Sequence, residues 1–404
     1  MNQSVTEIRA RFRALDRLHH GIPVAYFDGP GGTQVPEPVI EAMVDYLRHH
    51  NANTHWNYPT SHETDLMIGE ARQAAADFLN ASPEEVAFGL NMTSLTFHLA
   101  RGLVRDWRAG DEIVVTELDH HGNVGPWEAI AREAGLVLVR IPFRTDDGTL
   151  DLDRLAGAIG PRTRMVAVGW ASNALGTVTD VRMVCDAARA GGALSFIDAV
   201  HSAPHLLPDV RAIGCDYLAC SPYKFYGPHL GMLYGRKTLF EGLDLPKVRP
   251  APDSSPERVE TGTQNLEGIA GTRAAIDFLA AVSPQPGRRA SLVASYQVLH
   301  ERAMALFHRL WEGLGDTPRV RRFGLGPDGP RTPTLGFVVD GVPSSRVATA
   351  LAEQAIFVSH GHFYASTVVE RLALGAEGLV RAGCACYTTE AEVDRLIEAV
   401  RGIR

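Results

Sequence analysis

The stretch DYLACSPYKFYGPHLGMLYG, residues 216–235, places a lysine between two apolar runs. DYLAC (216–220) and GMLYG (231–235) read as short buried strands. The turn between them carries Lys224, flanked by Tyr223 and Phe225 and followed by Gly227-Pro228. Lysine is rarely buried without a partner. A solvated loop lysine is the plain reading of such a residue. A lysine that bonds covalently to an aldehyde cofactor is the chemical one, and the rest of the chain has to choose between them.

Upstream, further apolar runs recur with helical patterns between most of them. They are EVAFG (85–89), EIVVT (112–116), LVLVRI (136–141), RMVAVGW (164–170) and ALSFID (193–198). They do not alternate and are rich in β-branched residues, as strands buried on both faces are. PWEAIAREAG (126–135) and VRMVCDAARAGG (181–192) read as the intervening helices. Strands alternating with helices predict a large, mostly parallel, seven-stranded sheet covered on both faces. After residue 265 the pattern changes to long amphipathic helices, NLEGIAGTRAAIDFLAAV (265–282) and ASLVASYQVLHERAMALFHRLWEGL (290–314), broken by SPQPGRR (283–289). A strand TLGFVV, a helix SSRVATALAEQ (344–354), a strand IFVSH (356–360) and a last helix from about residue 390 complete a smaller C-terminal α/β domain. Thr389 and Glu392 have capping-box spacing for that last helix. The expected division is a large domain at 22–265 and a small domain formed by 1–21 and 266–404.

The bulk properties exclude several classes of function. The 404 residues are 45% hydrophobic and 21% charged, with a net charge of -8 and no Lys/Arg run. Nucleic acid and an anionic membrane are therefore not the expected partners. No apolar stretch reaches the length of a membrane span, and the N-terminus lacks the apolar core of a signal peptide. The five cysteines, Cys185, Cys215, Cys220, Cys384 and Cys386, are an odd number without metal-ligand spacing. A reducing cytoplasm and no metal are expected.

Ligands of open α/β sheets sit beyond the carboxyl ends of the strands. After EVAFG, the residues Asn91, Thr93 and Ser94 open a helix, where N–H groups and the helix dipole would hold a phosphate; taken alone, a plain Ser or Thr cap is the simpler reading. After EIVVT come His120, His121 and Asn123, and an imidazole there could stack on a flat ring or move protons. Asn173 follows the next strand. Asp198 ends ALSFID, and a buried carboxylate there needs a partner, such as a protonated ring nitrogen, unless it only caps a turn. His201 comes three residues later, and Ser221 and Lys224 follow DYLAC. A phosphate site, a stacking imidazole, a buried carboxylate and a lysine are together what pyridoxal phosphate requires.

At this point the chain resembles the class V aminotransferase superfamily of fold-type I pyridoxal-phosphate enzymes, and most closely its cysteine desulfurase-like branch. The likeness runs from VAYFDGPGGTQVP (24–36) to YTTEAEVDRL (387–396), through DHHGN, SNALGT, DAVH, SPYKFYGPHLGMLYG, RVETGTQN and VRAG. It implies that Lys224 is the Schiff-base lysine and that Asp198 pairs with the pyridine nitrogen. It places His120 on the ring and Asn173 and His201 near the ring hydroxyl. It assigns Thr93, Ser94, Ser221 and Tyr223 to the phosphate, although family members usually carry His where Tyr223 stands. Gly262 and Thr263 would reach the phosphate of a neighbouring subunit, which implies a homodimer with sites at the interface. Arg381 matches the arginine that grips a substrate carboxylate, a task suited to a bidentate guanidinium.

One departure bears on the reaction. Cysteine desulfurases carry a nucleophilic cysteine on a loop shortly before the arginine motif, and Tyr364 of VSHGHFYAST (358–367) stands at that place. NTHWNYPTSHETD (53–65) also replaces the histidine-containing segment of true desulfurases. The expected activity is desulfurase-like cleavage of a C–S or C–Se bond in an amino acid, without the usual cysteine. Transamination or epimerisation of another amino acid is the alternative, with Tyr364 or His362 as a second acid, and a non-catalytic protein of the same fold is the third. Tyr364 and His362 are expected beside the substrate.

Overall fold

The computed structural model describes residues 2–403. Its large sheet has seven strands: β1 (Val86–Gly89), β2 (Glu112–Thr116), β3 (Val137–Ile141), β4 (Thr163–Gly169), β5 (Leu194–Asp198), β6 (Tyr217–Cys220) and β7 (Gly231–Gly235). Their spatial order is β1-β7-β6-β5-β4-β2-β3, and β7 alone runs against the rest. This is the mostly parallel sheet expected from the apolar runs, each strand starting or ending within a residue of its run.

Alternate side chains of one strand enter different cores, which is why these runs carry no polar alternation. Ile197 and Leu218 face a core shared with the helices Pro59–Leu79 and Leu266–Ala280. Their neighbours Phe196 and Tyr217 face the opposite core, against the helices Met92–Leu103 and Gly125–Ala134. β3 differs from the expected doubly buried strand. It lies at the sheet edge with one neighbour, and Val137 is 46% exposed.

The second sheet is antiparallel, in the order β8 (Val320–Phe323), β9 (Thr334–Val339), β11 (Leu379–Gly383), β10 (Ser359–Gly361). Its core is closed by the C-terminal half of the helix Arg288–Gly315 and by the last helix, Glu390–Arg401. Both halves of the Thr389–Glu392 capping box form. Helix Leu266–Ala280, assigned from the sequence to the smaller domain, shares its buried face with the large sheet, as do Ile8 and Phe12 near the N-terminus. The segment 24–33 passes between the two sheets: Phe27 accepts a hydrogen bond from the Gly383 amide at 2.8 Å, and the Thr33 amide donates to the Tyr223 carbonyl at 3.1 Å. No helix among the described residues is long and apolar enough to cross a membrane, and no group of three or more candidate metal ligands occurs among them.

Candidate active site

The carboxyl ends of β1, β2, β4, β5 and β6 open into one cavity of about 940 Å³. Its walls include Thr93, His120, Asn173, Asp198, His201, Ser221, Tyr223 and Lys224 from the large sheet, together with Tyr364 and Arg381 from the smaller one. These ten residues, with Asn91 and His121 that the sequence also singled out, thus converge on one space. Four others do not. Ser94 turns back onto Asn91, whose Oδ1 accepts from the Ser94 amide at 2.9 Å and hydroxyl at 3.0 Å, so Asn91 is the helix cap. His362 lines a separate surface depression with His360 and Glu377. Gly262 and Thr263 are exposed and lie outside the cavity wall.

Lys224 follows β6 in a single tight turn, Pro222–Lys224. Its Nζ donates to the carbonyls of Pro30 at 2.5 Å and Gly31 at 2.9 Å. Burial, with repulsion from Arg381 added, brings its amine down to about 7, against the pull of Asp28 and Asp198. A substantial neutral fraction at physiological pH follows, as a nucleophilic or basic amine needs. Residues 28–31 were not singled out as site residues from the sequence. The only signal was the Gly-Pro-Gly-Gly run, and its meaning is steric: a Cβ on Gly31 would stand 2.6 Å from Asp28 Oδ1.

Asp198, at the end of β5, is 7% exposed and accepts one hydrogen bond, from the Val200 amide at 2.9 Å. Burial, and secondarily the nearby Asp119, raise its carboxyl to about 7 despite the Val200 bond and Lys224. Asp119 braces the loop after β2. It accepts from Thr116 at 2.7 Å, from Asn123 at 2.8 Å and from the Gly169 amide at 3.0 Å. That loop presents His120, whose Nδ1 accepts from the Gly122 amide at 2.9 Å. Burial and the nearby Lys224, Arg381 and His121 push His120 down to about 4, which keeps its imidazole neutral. Opposite lies the Tyr364 ring, 5.4 Å from the His120 ring, held where the Tyr364 carbonyl accepts from the His121 amide at 2.6 Å.

Arg381, on β11, is 4% exposed. Its Nε donates to Ser359 at 3.1 Å across the sheet, its Nη1 donates to the Asn173 carbonyl at 2.9 Å, and Asp28 lies 3.6 Å from its Nη2. Asn173 Nδ2 donates to the Phe363 carbonyl at 2.8 Å, and His201 Nε2 lies 3.1 Å from the Thr332 hydroxyl. At the other end of the cavity, the Met92 amide donates to the Ser221 hydroxyl at 3.1 Å, and Tyr223 stacks on His229 at 5.0 Å.

These residues fit pyridoxal phosphate. Asn173 Oδ1 and His201 Nδ1 are buried without a hydrogen-bond partner. Asp198 is a buried carboxylate with a single donor, so a cationic ring nitrogen would complete it. The amine of Lys224 opens on the same cavity as the start of the helix Met92–Leu103. None of the five cysteines lines this cavity. All are buried, and Cys384 and Cys386 border a separate space of about 20 Å³ beside His205 and His300.

Comparison with known proteins gives the family of the chain. The model of the family described as Aminotransferase class-V matches residues 25–396. A probable cysteine desulfurase of Pseudomonas putida is 33% identical over 96% of this chain and 94% of its own length. A cysteine desulfurase of Serratia proteamaculans is 31% identical over 100% of this chain and 99% of its own. Among solved structures, the cysteine desulfurase of Thermococcus onnurineus superimposes with a TM-score of 0.89 at 29% identity, covering 100% of both chains. That of Escherichia coli gives 0.86 at 27% identity, covering 98% of both. The chain therefore belongs to the class-V aminotransferase family of pyridoxal-phosphate enzymes and is similar along its whole length to cysteine desulfurases.

Proposed function

We propose that this enzyme cleaves the C–S or C–Se bond of a small α-amino acid by elimination, without a cysteine nucleophile. The observation that carries this reading is the absence of any thiol from the cavity wall, where Tyr364 occupies the loop ahead of Arg381. The desulfurase relatives support the substrate class.

When bound, pyridoxal phosphate supplies an electron sink for the charge left at the substrate's α-carbon. The chain's own residues do the rest. Arg381 binds the α-carboxylate with the donors that Ser359 and Asn173 leave free. Lys224, neutral in part near pH 7, takes the α-proton. Asp198 offers a buried negative charge to the ring nitrogen, and Asn173 and His201 offer polar atoms to the ring hydroxyl. The neutral imidazole of His120 flanks the site, and the ring of Tyr364, itself 68% exposed, stands at its solvent side. For L-cysteine the balance is cysteine plus water giving sulfide, pyruvate and ammonia, with no sulfur left on the protein.

The reading includes a homodimer. Ile40, Leu47, Trp56, Tyr58 and Leu66 are large exposed hydrophobics within one short stretch, and Leu90 is 73% exposed on the cavity wall. A second copy would cover such a surface, and sedimentation at micromolar concentration tests it. The reaction is tested with loaded protein and L-cysteine, L-selenocysteine or L-alanine. Sulfide or selenide with equimolar pyruvate is expected. Alanine with sulfur retained on the protein would sink the proposal. An oxo acid formed without sulfur release would assign transamination, and racemised substrate would assign epimerisation.

A further inference from the structure

Phe363 and Tyr364 both have left-handed backbone, with φ of 53° and 58°. Two consecutive bulky residues in that region are strained, and such strain persists only where the surroundings impose it. Here the conformation serves two contacts from one residue. The Phe363 ring lies under the Arg381 guanidinium, 4.1 Å from its centre, and the Phe363 carbonyl accepts from Asn173 Nδ2 at 2.8 Å. Asn173 in turn accepts from Arg381 through its own carbonyl at 2.9 Å. Phe363, Asn173 and Arg381 thus close a ring of contacts. Ser359 holds the Nε edge of the guanidinium, Phe363 holds its flat face, and the remaining donors face Asp28 and the cavity.

We propose that Phe363 is a positioning residue that sets carboxylate recognition. It fixes the plane of Arg381 so that its free edge meets the α-carboxylate, while its carbonyl sets the amide of Asn173 so that Oδ1 faces the cofactor's ring. A planar guanidinium recognises a carboxylate only in the right plane, and a flat aromatic partner constrains that plane as an aliphatic side chain does not. The proposal rests on the reading of Arg381 as the carboxylate-binding residue.

The test avoids dependence on the true substrate. Aminooxyacetate and O-methylhydroxylamine both react with the carbonyl of bound pyridoxal phosphate, and only the first carries a carboxylate. Their rates with the loaded enzyme are followed by the change in cofactor absorbance, and their ratio reports carboxylate recognition. Cofactor affinity is measured separately by titrating pyridoxal phosphate into stripped protein. Phe363→Leu is expected to lower the ratio by about 30-fold, the scale of a cation–π contact at a desolvated site, with O-methylhydroxylamine little affected. Phe363→Tyr, which keeps the ring, is expected to keep the ratio. An unchanged ratio in Phe363→Leu overturns the proposal, as does equal slowing of both reagents, which would report collapse of the loop. Arg381→Lys is run alongside. If it lowers the ratio while Phe363→Leu does not, the role of Phe363 fails alone. If it leaves the ratio intact, the reading of Arg381 fails, and that of Phe363 with it.

Discussion

Asp198→Asn is expected to stabilise the cofactor-free protein at alkaline pH while weakening cofactor binding. Burial raises the Asp198 carboxyl from 3.8 to about 7. A group whose folded value is raised contributes stability while protonated, fully present below the unfolded value and lost as pH rises through the folded one. For Asp198 the loss runs from about pH 4 to pH 7. From pH 5 the slope of about 1.4 kcal/mol per unit, flattening near pH 7, gives a loss of about 2 kcal/mol by pH 7 and about 2–3 kcal/mol by pH 8. Asparagine keeps the size and the acceptor for the Val200 amide but has no charge to desolvate. Asp119 and Lys224 also titrate abnormally and are coupled to Asp198, but burial is the largest cause of each shift, so the loss of the Asp198 charge dominates the difference between the two proteins. The assay is denaturant unfolding of both stripped proteins at pH 5 and pH 8. The variant should gain about 2–3 kcal/mol on the wild type between those values. An unchanged difference would refute the reasoning, because Asp198 would then already have a partner or solvent without the cofactor. The same variant, loaded, should bind pyridoxal phosphate more weakly.

Three other outcomes follow from the same geometry. Lys224→Ala should release its cofactor on dialysis where wild type retains it, read by absorbance; retention would remove the lysine from its role. Asp119→Ala leaves the Thr116, Asn123 and Gly169 donors without their acceptor and should cost about 2–4 kcal/mol, with the loss visible as a lower unfolding midpoint and as greater access of His120 to diethyl pyrocarbonate. All five thiols are buried, and burial pushes Cys185, Cys384 and Cys386 up to about 12. The native protein should therefore leave a disulfide reagent unconsumed, and a single thiol reacting at native rates would reopen the search for a sulfur carrier.

Much of the site was legible because it obeys one local rule. His120, Asn173, Asp198 and Lys224 each follow the carboxyl end of an apolar run, and a parallel sheet brings such ends together whatever lies between them. The start of the helix Met92–Leu103 was read less well. Thr or Ser as the cap of the helix Met92–Leu103 was a fair inference from composition, but Asn91 takes that place and uses Ser94 as its donor. β3 was read as buried because an apolar run of its length does not say how many neighbours it has.

What the sequence determined alone is therefore the large sheet, the lysine turn and the polar residues at the strand ends. Apolar runs report burial, and short-range turn chemistry reports where the chain leaves the sheet. What only the tertiary structure decided is the half of the site that comes from far along the chain. The carbonyls of Pro30 and Gly31 on Lys224, the carbonyl of Phe363 on the Asn173 amide and the carbonyl of Asn173 on Arg381 are contacts between segments more than 150 residues apart. Such contacts are fixed by how two sheets and the strand between them pack, and no periodicity within one segment encodes that.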